Sequence, residues 1–551
     1  MTYNSFSLSG NIVDVLNQRI FPGTVQIENG RIKSVTEEPV SETQYILPGL
    51  IDAHIHIESS MLVPTEFARV AVIHGTVATV SDPHEIANVL GMRGVEFMLD
   101  NAGQTPFKFH FSAPSCVPAT PFETAGAELS APEIEVLLQR QDIVSLSEMM
   151  NVPGVLNDAE DVTEKLRLAR SAGKIVDGHA PGLRGNAVKK YIEAGITTDH
   201  ECFSIEEALE KLSLGMKVQI REGSAARNLD DLMPLLNDHY KECMLCSDDK
   251  HPDDLAEGHI NEMVKRSIAA GIDPMKVLWS ATVTPIKTYG LDVGLLQTND
   301  KADLIIIDSL TDFNILSTYI DGNLVAEMGR TKLVSQPVIA VNRFEAELQK
   351  AEDFKITTTL SEVPVIEVID GQLVTRNYSW IPELDTDGFI QTNLDQDILK
   401  IAVLNRYSLS NPAVALIRNF GLKEGAIASS VAHDSHNIVA VGTSDEDLAK
   451  AINLIIRNQG GISAVTSNSE HILPLPVAGI MSDSDAFKVG TTYGRMDDIA
   501  KEMGSQLSAP YMTLSFMALL VIPDIKLSDK GLFDGKTFQF IDAFESNVGM
   551  V

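Results

Sequence analysis

The sequence is poor in cysteine and in basic residues. Its four cysteines in 551 residues are too few for a disulfide framework. Lysine and arginine number 43 against 76 aspartates and glutamates, so the formal net charge is −33. A surface this acidic repels phosphate backbones and anionic membranes. We therefore expect no nucleic-acid partner and no fold that depends on disulfide bonds.

The sequence also has no long apolar run. No stretch offers the roughly 18 consecutive apolar residues that a membrane-spanning helix needs, and the N-terminus has neither the basic nor the apolar segment of a signal peptide. We expect a cytoplasmic protein with no membrane partner. Cys243 and Cys246 form a C-x-x-C, which would suit a redox pair or half of a zinc site. No second C-x-x-C occurs, and the apolar neighbours favour a buried strand.

The order of apolar segments predicts an α/β protein of three parts. From residue 48, eight short apolar runs alternate with amphipathic helical segments, the pattern of a (β/α)8 barrel at 48–282. Both flanks, 1–47 and 283–334, read as short strands and are predicted to form one composite β-sandwich. Residues 335–551 are predicted to form a C-terminal α+β domain, with one clear helix between the N-cap Ser444 and Gly460.

Polar residues with metal-binding side chains follow five of the eight predicted strands. In a barrel of this kind the active site lies at the carboxyl ends of the strands. Taken singly, such a residue is more often a helix cap or a hydrogen-bonded residue with no functional role. Six of them at the carboxyl ends of the strands of one barrel indicate a common site. The residues are His54 and His56 (first strand), Glu148 (fourth), His179 (fifth), His200 (sixth) and Asp248 (eighth).

Four imidazoles and two carboxylates suit Mn, Fe, Co or Zn better than Ca or Mg. Six ligands are generous for one ion and natural for two, with Glu148 placed to bridge them. Two ions ~3.5–4 Å apart would share a water and lower its pKa. Asp248 would take the proton from that water and pass it to the leaving group. The predicted chemistry is metal-assisted hydrolysis.

The motifs resemble those of the amidohydrolase superfamily and, more narrowly, of bacterial adenine deaminases. "PGLIDAHIHI" is shared widely across the superfamily, whereas "VSDPHEIANVLG", "DGHAPGL", "CSDDKHPDDL" and "VAHDSHNIVAVG" are more particular. Together these motifs cover nearly the whole chain. The motif after the fifth strand lacks the acid that the adenosine deaminase branch places there.

The resemblance implies hydrolysis of adenine to hypoxanthine and ammonia in purine salvage, with water as co-substrate. It also implies two divalent transition-metal ions, with Mn²⁺ preferred and Fe²⁺ or Zn²⁺ as alternatives. The six residues above would form the metal shell, with Glu148 bridging and Asp248 as the proton shuttle. We expect a homo-oligomer, a dimer.

Further residues are weaker candidates for substrate contact. Asp82, His84 and Glu85 follow the second strand and would suit hydrogen bonds to a purine edge. Asp82 would serve equally as the cap of a helix with Pro83 at its first position. Glu58 would support His56 or reach the substrate.

Two other groups carry no clear role in the sequence. Arg221 and Glu222 end the seventh strand as a possible ion pair. His433, Asp434 and His436 of the C-terminal region would suit a surface or interdomain turn, or closure of the barrel mouth from outside.

Two alternative functions remain open at this stage. One is another amidohydrolase that acts on a cyclic base or amide, such as cytosine, guanine or a hydantoin-like ring. The other is a non-catalytic barrel that serves as a scaffold. A scaffold would be expected to lose metal ligands, and this sequence keeps a full set.

Overall fold

The structure, a computed structural model, describes residues 5–224 and 226–546. Among these residues no helix is long and apolar enough to cross a bilayer. The strands of the N-terminal flank and of the parallel unit are β1 Ser5–Asp14, β2 Arg19–Glu28, β3 Arg31–Glu37, β4 Tyr45–Pro48, β5 Leu50–Ile55, β6 Thr76–Ser81, β7 Lys108–Ala113, β8 Ile143–Met149, β9 Ile175–Gly178, β10 Thr198–Asp199, β11 Lys217–Arg221 and β12 Cys243–Cys246.

The remaining strands belong to the second flank and to the C-terminal region. They are β13 Leu304–Ile307, β14 Ile315–Ile320, β15 Asn323–Glu327, β16 Arg330–Thr331, β17 Ile356–Thr357, β18 Val363–Glu367, β19 Arg376–Trp380, β20 Leu399–Leu404, β21 Ala413–Arg418, β22 Ala426–Ser429, β23 Ile438–Gly442, β24 Gly461–Val465, β25 Glu470–Pro474, β26 Ile525–Ser528, β27 Gly531–Asp534, β28 Gln539–Phe540 and β29 Glu545–Ser546.

Most of the helices lie between the strands of the parallel unit. The α-helices are α1 Pro64–Ala71, α2 His84–Leu90, α3 Met92–Ala102, α4 Ala131–Leu138, α5 Val152–Leu156, α6 Glu160–Ser171, α7 Gly185–Glu193, α8 Ile205–Ser213, α9 Leu229–Leu232, α10 Leu236–His239, α11 Pro252–Glu257, α12 Ile260–Ala269, α13 Pro274–Leu278, α14 Thr284–Tyr289, α15 Asp445–Asn458, α16 Ala486–Glu502 and α17 Pro510–Ser515.

All eight apolar runs of the central region form parallel strands. β5 to β9 make a five-stranded sheet in chain order, and β10 to β12 make a three-stranded one. Isolated bridges join the two sheets at both ends, between Val176 and Ile196 and between Ile55 and Asp248. The strands are buried on both faces, as expected when helices cover a parallel sheet. This arrangement brings the carboxyl ends of the strands to one side.

The two flanks of the parallel unit pair with each other. They form one eight-stranded sheet in the order β16-β15-β14-β13-β4-β1-β2-β3. The chain returns to it after the parallel unit through β13, which runs antiparallel to β4, with Leu304 opposite Pro48. The pairing between residues near 46 and residues near 306 holds both ends of the parallel unit together.

The C-terminal region is built on a second eight-stranded sheet, in the order β19-β18-β21-β20-β23-β22-β24-β25. The predicted helix is α15, which packs against this sheet. It begins as expected, because the Ser444 hydroxyl accepts a hydrogen bond from the Asp447 amide at 3.1 Å. Its last residue is Asn458, and its C-cap is Gln459, in the left-handed conformation with φ 54°, so the cap falls one residue before the predicted Gly460.

The C-terminal region packs directly on the parallel unit. α16 contacts α1 and α11. The Ser482 amide donates to the Met61 carbonyl at 2.8 Å, and Arg69 forms an ion pair with Asp485 at 2.7 Å. One hydrophobic core extends across both. The C-terminal region therefore lies close to the strand ends where the predicted site is found.

Candidate metal centre

The six predicted ligands converge at the carboxyl ends of the parallel strands. Glu148, at the end of β8, lies among four imidazoles. Its Oε1 is 3.1 Å from Nε2 of His56 and 4.0 Å from Nε2 of His54. Its Oε2 is 2.7 Å from Nδ1 of His179 and 3.2 Å from Nε2 of His200. This central position is the one predicted for a bridging carboxylate.

Asp248 approaches the same histidines from the end of β12. Its Oδ1 lies 3.1 Å from Nε2 of His56 and 3.5 Å from Nε2 of His54. Two sets of three buried donors, each with ligand atoms within 4.8 Å of one another, share His54: one with His56 and Asp248, the other with Glu148 and His200. The buried donors therefore form overlapping clusters that could hold a metal ion.

The two carboxylates are held in their charged form. Burial alone would raise the pKa of Glu148, but the neighbouring imidazoles, His200 foremost, outweigh it and hold the pKa well below its ordinary value. Burial likewise opposes ionisation of Asp248, and Arg221 together with His54 and His56 holds its pKa well below the usual range. The carboxylates of Glu148 and Asp248 are therefore negatively charged and able to bind cations.

Backbone and second-layer contacts orient the histidine pair of β5. The His56 ring uses Nδ1 against the Asp82 carbonyl at 3.1 Å, which turns Nε2 toward the centre. Asp52 lies below, where it accepts from the His54 amide at 3.2 Å and contacts Nε2 of His259 at 2.8 Å. Period-two alternation places His54 and His56 on the same face of the strand. Both rings face Glu148 and Asp248, and their role as metal ligands stays a prediction.

Sequence reasoning missed Glu201 and assigned the wrong partner to Arg221. Arg221 forms buried ion pairs with Glu201 and with Asp248, whereas Glu222 pairs with Arg266. Glu201 also lies 3.6 Å from Nε2 of His200. The signal available was its position directly after His200 in "TDHE". The predicted Arg221–Glu222 pair is wrong, because the two side chains pair with charges on different parts of the chain.

His84 lies beside the centre, and Asp82 holds it there. The Asp82 carboxylate contacts Nδ1 of His84 at 2.9 Å, and the same ring nitrogen is 3.4 Å from Oε1 of Glu148. Asp82 is not a helix cap, because α2 begins at His84 with Pro83 at the N-cap position and no side-chain cap bond. The assignment of both residues to substrate binding stays a prediction.

Glu58 and Glu85 are buried and hydrogen-bonded. The Glu58 carboxylate accepts from the Ile86 amide at 3.2 Å, and burial raises its pKa to about 7. Glu85 contacts Nδ1 of His433 at 2.6 Å and also contacts His436. The Glu85 contacts join the parallel unit to the C-terminal region. The histidines of "AHDSHN" are thus at a buried interface rather than in a surface turn.

A chamber lies above the six donors, and the C-terminal region forms its roof. The strand ends supply His56, His84, Glu148, His179 and Asp248, among others. Asp249 also lines the chamber, and its carboxylate accepts from the Ser59 hydroxyl at 2.6 Å. The roof residues of the C-terminal region are Leu373, His433, Asp434, Phe516, Leu519, Val521 and Ile522.

The C-x-x-C packs in the interior and is not arranged as a pair. Cys243 and Cys246 are both free and buried in β12, and burial raises the pKa of each thiol. They pack in different hydrophobic clusters, as expected for residues three positions apart on a strand, whose side chains face opposite sides. These cysteines pack the interior of the parallel unit.

Comparison with known proteins agrees with this geometry. The amidohydrolase family profile matches residues 45–325, which span the parallel unit together with β4 of the first flank and β13 and β14 of the second. The fold and site therefore define a hydrolase of the amidohydrolase class. A second profile, the adenine deaminase C-terminal domain, matches residues 372–539. The chain belongs to the adenine deaminase family.

Relatives named adenine deaminase match almost end to end. The protein of Salinibacter ruber is 52% identical over 98% of this chain and 99% of its own length. That of Sulfurovum sp. is 54% identical over 97% and 99%, and that of Methanosarcina mazei is 49% identical over 97% and 99%. The similarity includes both the strand-end site and the C-terminal roof.

Proposed function

We propose that this protein hydrolyses adenine to hypoxanthine and ammonia, as a step of purine salvage. One observation carries the proposal: adenine deaminases about half identical to this chain match it along nearly its full length. That similarity covers the residues that line both the floor and the roof of the chamber. A site for a different cyclic base would be expected to differ in the roof while keeping the donors below.

The donor set fits two divalent transition-metal ions. Nε2 of His54 is buried without a hydrogen-bond partner in the described structure, and it faces Glu148 and Asp248. Imidazole with carboxylate suits Mn²⁺, our first choice, as well as Fe²⁺ and Zn²⁺. Such a pair, when bound, would lower the pKa of a water to near neutrality. The proposed ligands are His54, His56, Glu148, His179, His200 and Asp248.

The chain's own residues would manage the proton. The oxygen of the attacking water bonds to the ring carbon that carries the amino group, and the bond from that carbon to the amino nitrogen breaks. Asp248 accepts one proton of the water and delivers it to the departing nitrogen, which leaves as ammonia. The second proton of the water passes to the ring nitrogen next to the reacting carbon as the carbonyl of hypoxanthine forms. Arg221 orients the Asp248 carboxylate from the side away from His56 and keeps it ionised. Glu148 and the four histidines around it would hold the face of the adenine ring that the water attacks.

We further propose the full architecture expected from the sequence. The two parallel sheets are interpreted as one closed (β/α)8 barrel, a view that the bridges Val176–Ile196 and Ile55–Asp248 support. The paired flanks are the proposed composite sandwich, and residues 335–551 the C-terminal α+β domain. We also propose that the protein is a homodimer and that it is cytoplasmic. The proposed location rests on the composition of the sequence.

The test is ammonia release from a panel of compounds by protein expressed with added Mn²⁺. Adenine, adenosine, cytosine, guanine and hydantoin are compared at equal concentration. We expect turnover of adenine and, because the adenosine deaminase acid is absent after the fifth strand, little turnover of adenosine. Comparable rates for both would contradict the substrate assignment, and a rate with cytosine or guanine that exceeds the rate with adenine would replace it.

A further inference from the structure

Three buried polar atoms of chamber-lining residues outside the six proposed donors lack a hydrogen-bond partner among the residues that the structure describes. They are Nε2 of His84, at the strand ends, and Nε2 of His433 and Oδ2 of Asp434, in the roof. The exposed fractions of His84 and Asp434 are 3% and 4%. A buried polar atom without a partner costs about 1–3 kcal/mol, so such atoms usually have a ligand that satisfies them. Their position indicates that this ligand is the molecule that enters the chamber.

Asp434 is rigidly placed by its neighbours in the sequence. His433 and His436 both contact the Glu85 carboxylate of the parallel unit. The His433 ring also stacks on Phe516, with ring centroids 4.5 Å apart and planes at 15°. The backbone that carries Asp434 is therefore held between these two anchors, which is the kind of support that a binding group needs.

Asp434 and the proposed proton shuttle belong to different groups of side chains around the same chamber. Asp248 groups with His54 and His56, whereas Asp434 groups with His84 and Glu85. For the proposed reaction, the carbon of adenine that carries the amino group must approach Asp248 and Glu148. A ring system held there can extend its imidazole half toward His84 and Asp434, which line the same chamber.

We propose that Asp434 binds the substrate and selects the free base. Its carboxylate accepts the hydrogen bond from the N–H of the imidazole ring of adenine. An ionised carboxylate can only accept, and this N–H is the group that a sugar or alkyl substituent replaces in a nucleoside. An adenine with a substituent at that nitrogen cannot donate this hydrogen bond, so the carboxylate stays unpaired, and the substituent collides with the carboxylate. The inference rests on the proposed function and adds the residue of the C-terminal region that sets its specificity.

The experiment compares kcat/KM for adenine and for 9-methyladenine in Asp434→Asn and Asp434→Ala. Loss of a hydrogen bond to a charged group corresponds to about 10- to 100-fold in kcat/KM. We expect the value for adenine to fall by that factor in Asp434→Ala and by less in Asp434→Asn, because the amide oxygen of asparagine can still accept the hydrogen bond. The value for 9-methyladenine should stay constant in Asp434→Asn and rise in Asp434→Ala, because alanine frees space. Bound metal and Tm should match the wild type. Asp483→Asn, at an exposed position of the same region, should keep the wild-type ratio.

Each outcome separates the two proposals. Wild-type protein that deaminates adenine, with variants that keep its ratio of adenine to 9-methyladenine, would overturn the role of Asp434 and leave the proposed function intact. An equal fall for both compounds would likewise overturn it, because a merely structural role has that effect. A wild-type protein that releases no ammonia from adenine would overturn the proposed function and the role of Asp434 with it.

Discussion

The guanidinium of Arg221 forms a buried ion pair with the carboxylate of Asp248, 27 positions later in the chain. The same guanidinium also forms an ion pair with Glu201, so the positive charge of Arg221 is shared by two carboxylates at the edge of the proposed metal centre. Burial would lower the pKa of Arg221, but the two carboxylates more than compensate and raise it above its ordinary value. This pair explains how a buried aspartate remains available as a proton acceptor.

Removal of Arg221 should destabilise the protein strongly. Arg221→Met leaves Glu201 and Asp248 buried without their cation, and loss of one partner of a buried ion pair costs about 3–5 kcal/mol. We expect a clear fall in the denaturant midpoint. Arg167→Met is the matched control, because Arg167 pairs with Glu164 on the surface and its side chain is 57% exposed. Equal midpoints for the two variants would show that the Arg221 pairs contribute no more than a surface pair.

Removal of one imidazole should remove metal and activity together. His54 belongs to both groups of three donors, so His54→Ala should lower the metal content of about two ions per chain and abolish turnover. Elemental analysis of protein expressed with added Mn²⁺ measures the first effect and ammonia release the second. His471→Ala, in the edge strand β25, should retain both. A His54→Ala protein with wild-type turnover would show that the centre lies elsewhere.

The adjacent acids Asp248 and Asp249 should differ sharply. Asp248 contacts His54 and His56, whereas Asp249 accepts a hydrogen bond from the Ser59 hydroxyl. Asp248→Asn removes the proton acceptor, so turnover should fall by about 100- to 10,000-fold while the fold is retained. Asp249→Asn should have a smaller effect. Turnover and metal content are measured for both, and a dead Asp249→Asn beside an active Asp248→Asn would reverse the assignment.

Lys526 should make stability depend on pH above neutrality. It is fully buried in β26, where its Nζ donates to the carbonyl oxygens of Leu373 at 2.6 Å and Phe516 at 3.0 Å. Burial lowers its pKa to about 7, while the unfolded chain has the ordinary value of about 10.4. Between these values the unfolded state binds more protons, so the free energy of unfolding rises with pH, by at most about 1.4 kcal/mol per pH unit.

Lys526→Met removes the titrating amine, so it tests whether the free energy of unfolding rises with pH as predicted. The Tm of the wild type minus that of the variant should increase from pH 7 to pH 9.5. The same difference for Lys189→Met, whose side chain is 62% exposed, should remain constant. A difference for Lys526→Met that stays flat or decreases would mean that the buried amine keeps its proton throughout this range.

Local pattern was sufficient for much of the fold. Each of the eight apolar runs forms a strand because β-branched and aliphatic residues suit a sheet covered on both faces. α15 follows from Ser444 and the helical spacing of Leu448, Ile452 and Ile455. The helix end was one residue off, since Gln459 also tolerates the left-handed conformation there.

The sequence by itself determined the strands, the rim where their polar ends meet and the six donors at that rim, because alternation along a strand and the geometry of parallel sheets are local or general rules. Only the tertiary structure decided which buried charges meet. Glu85 contacts His433, which lies 348 positions later in the chain. Arg221 forms ion pairs with Glu201 and Asp248 rather than with its neighbour Glu222. Such contacts depend on how separate elements pack, and no periodicity in the chain records that packing.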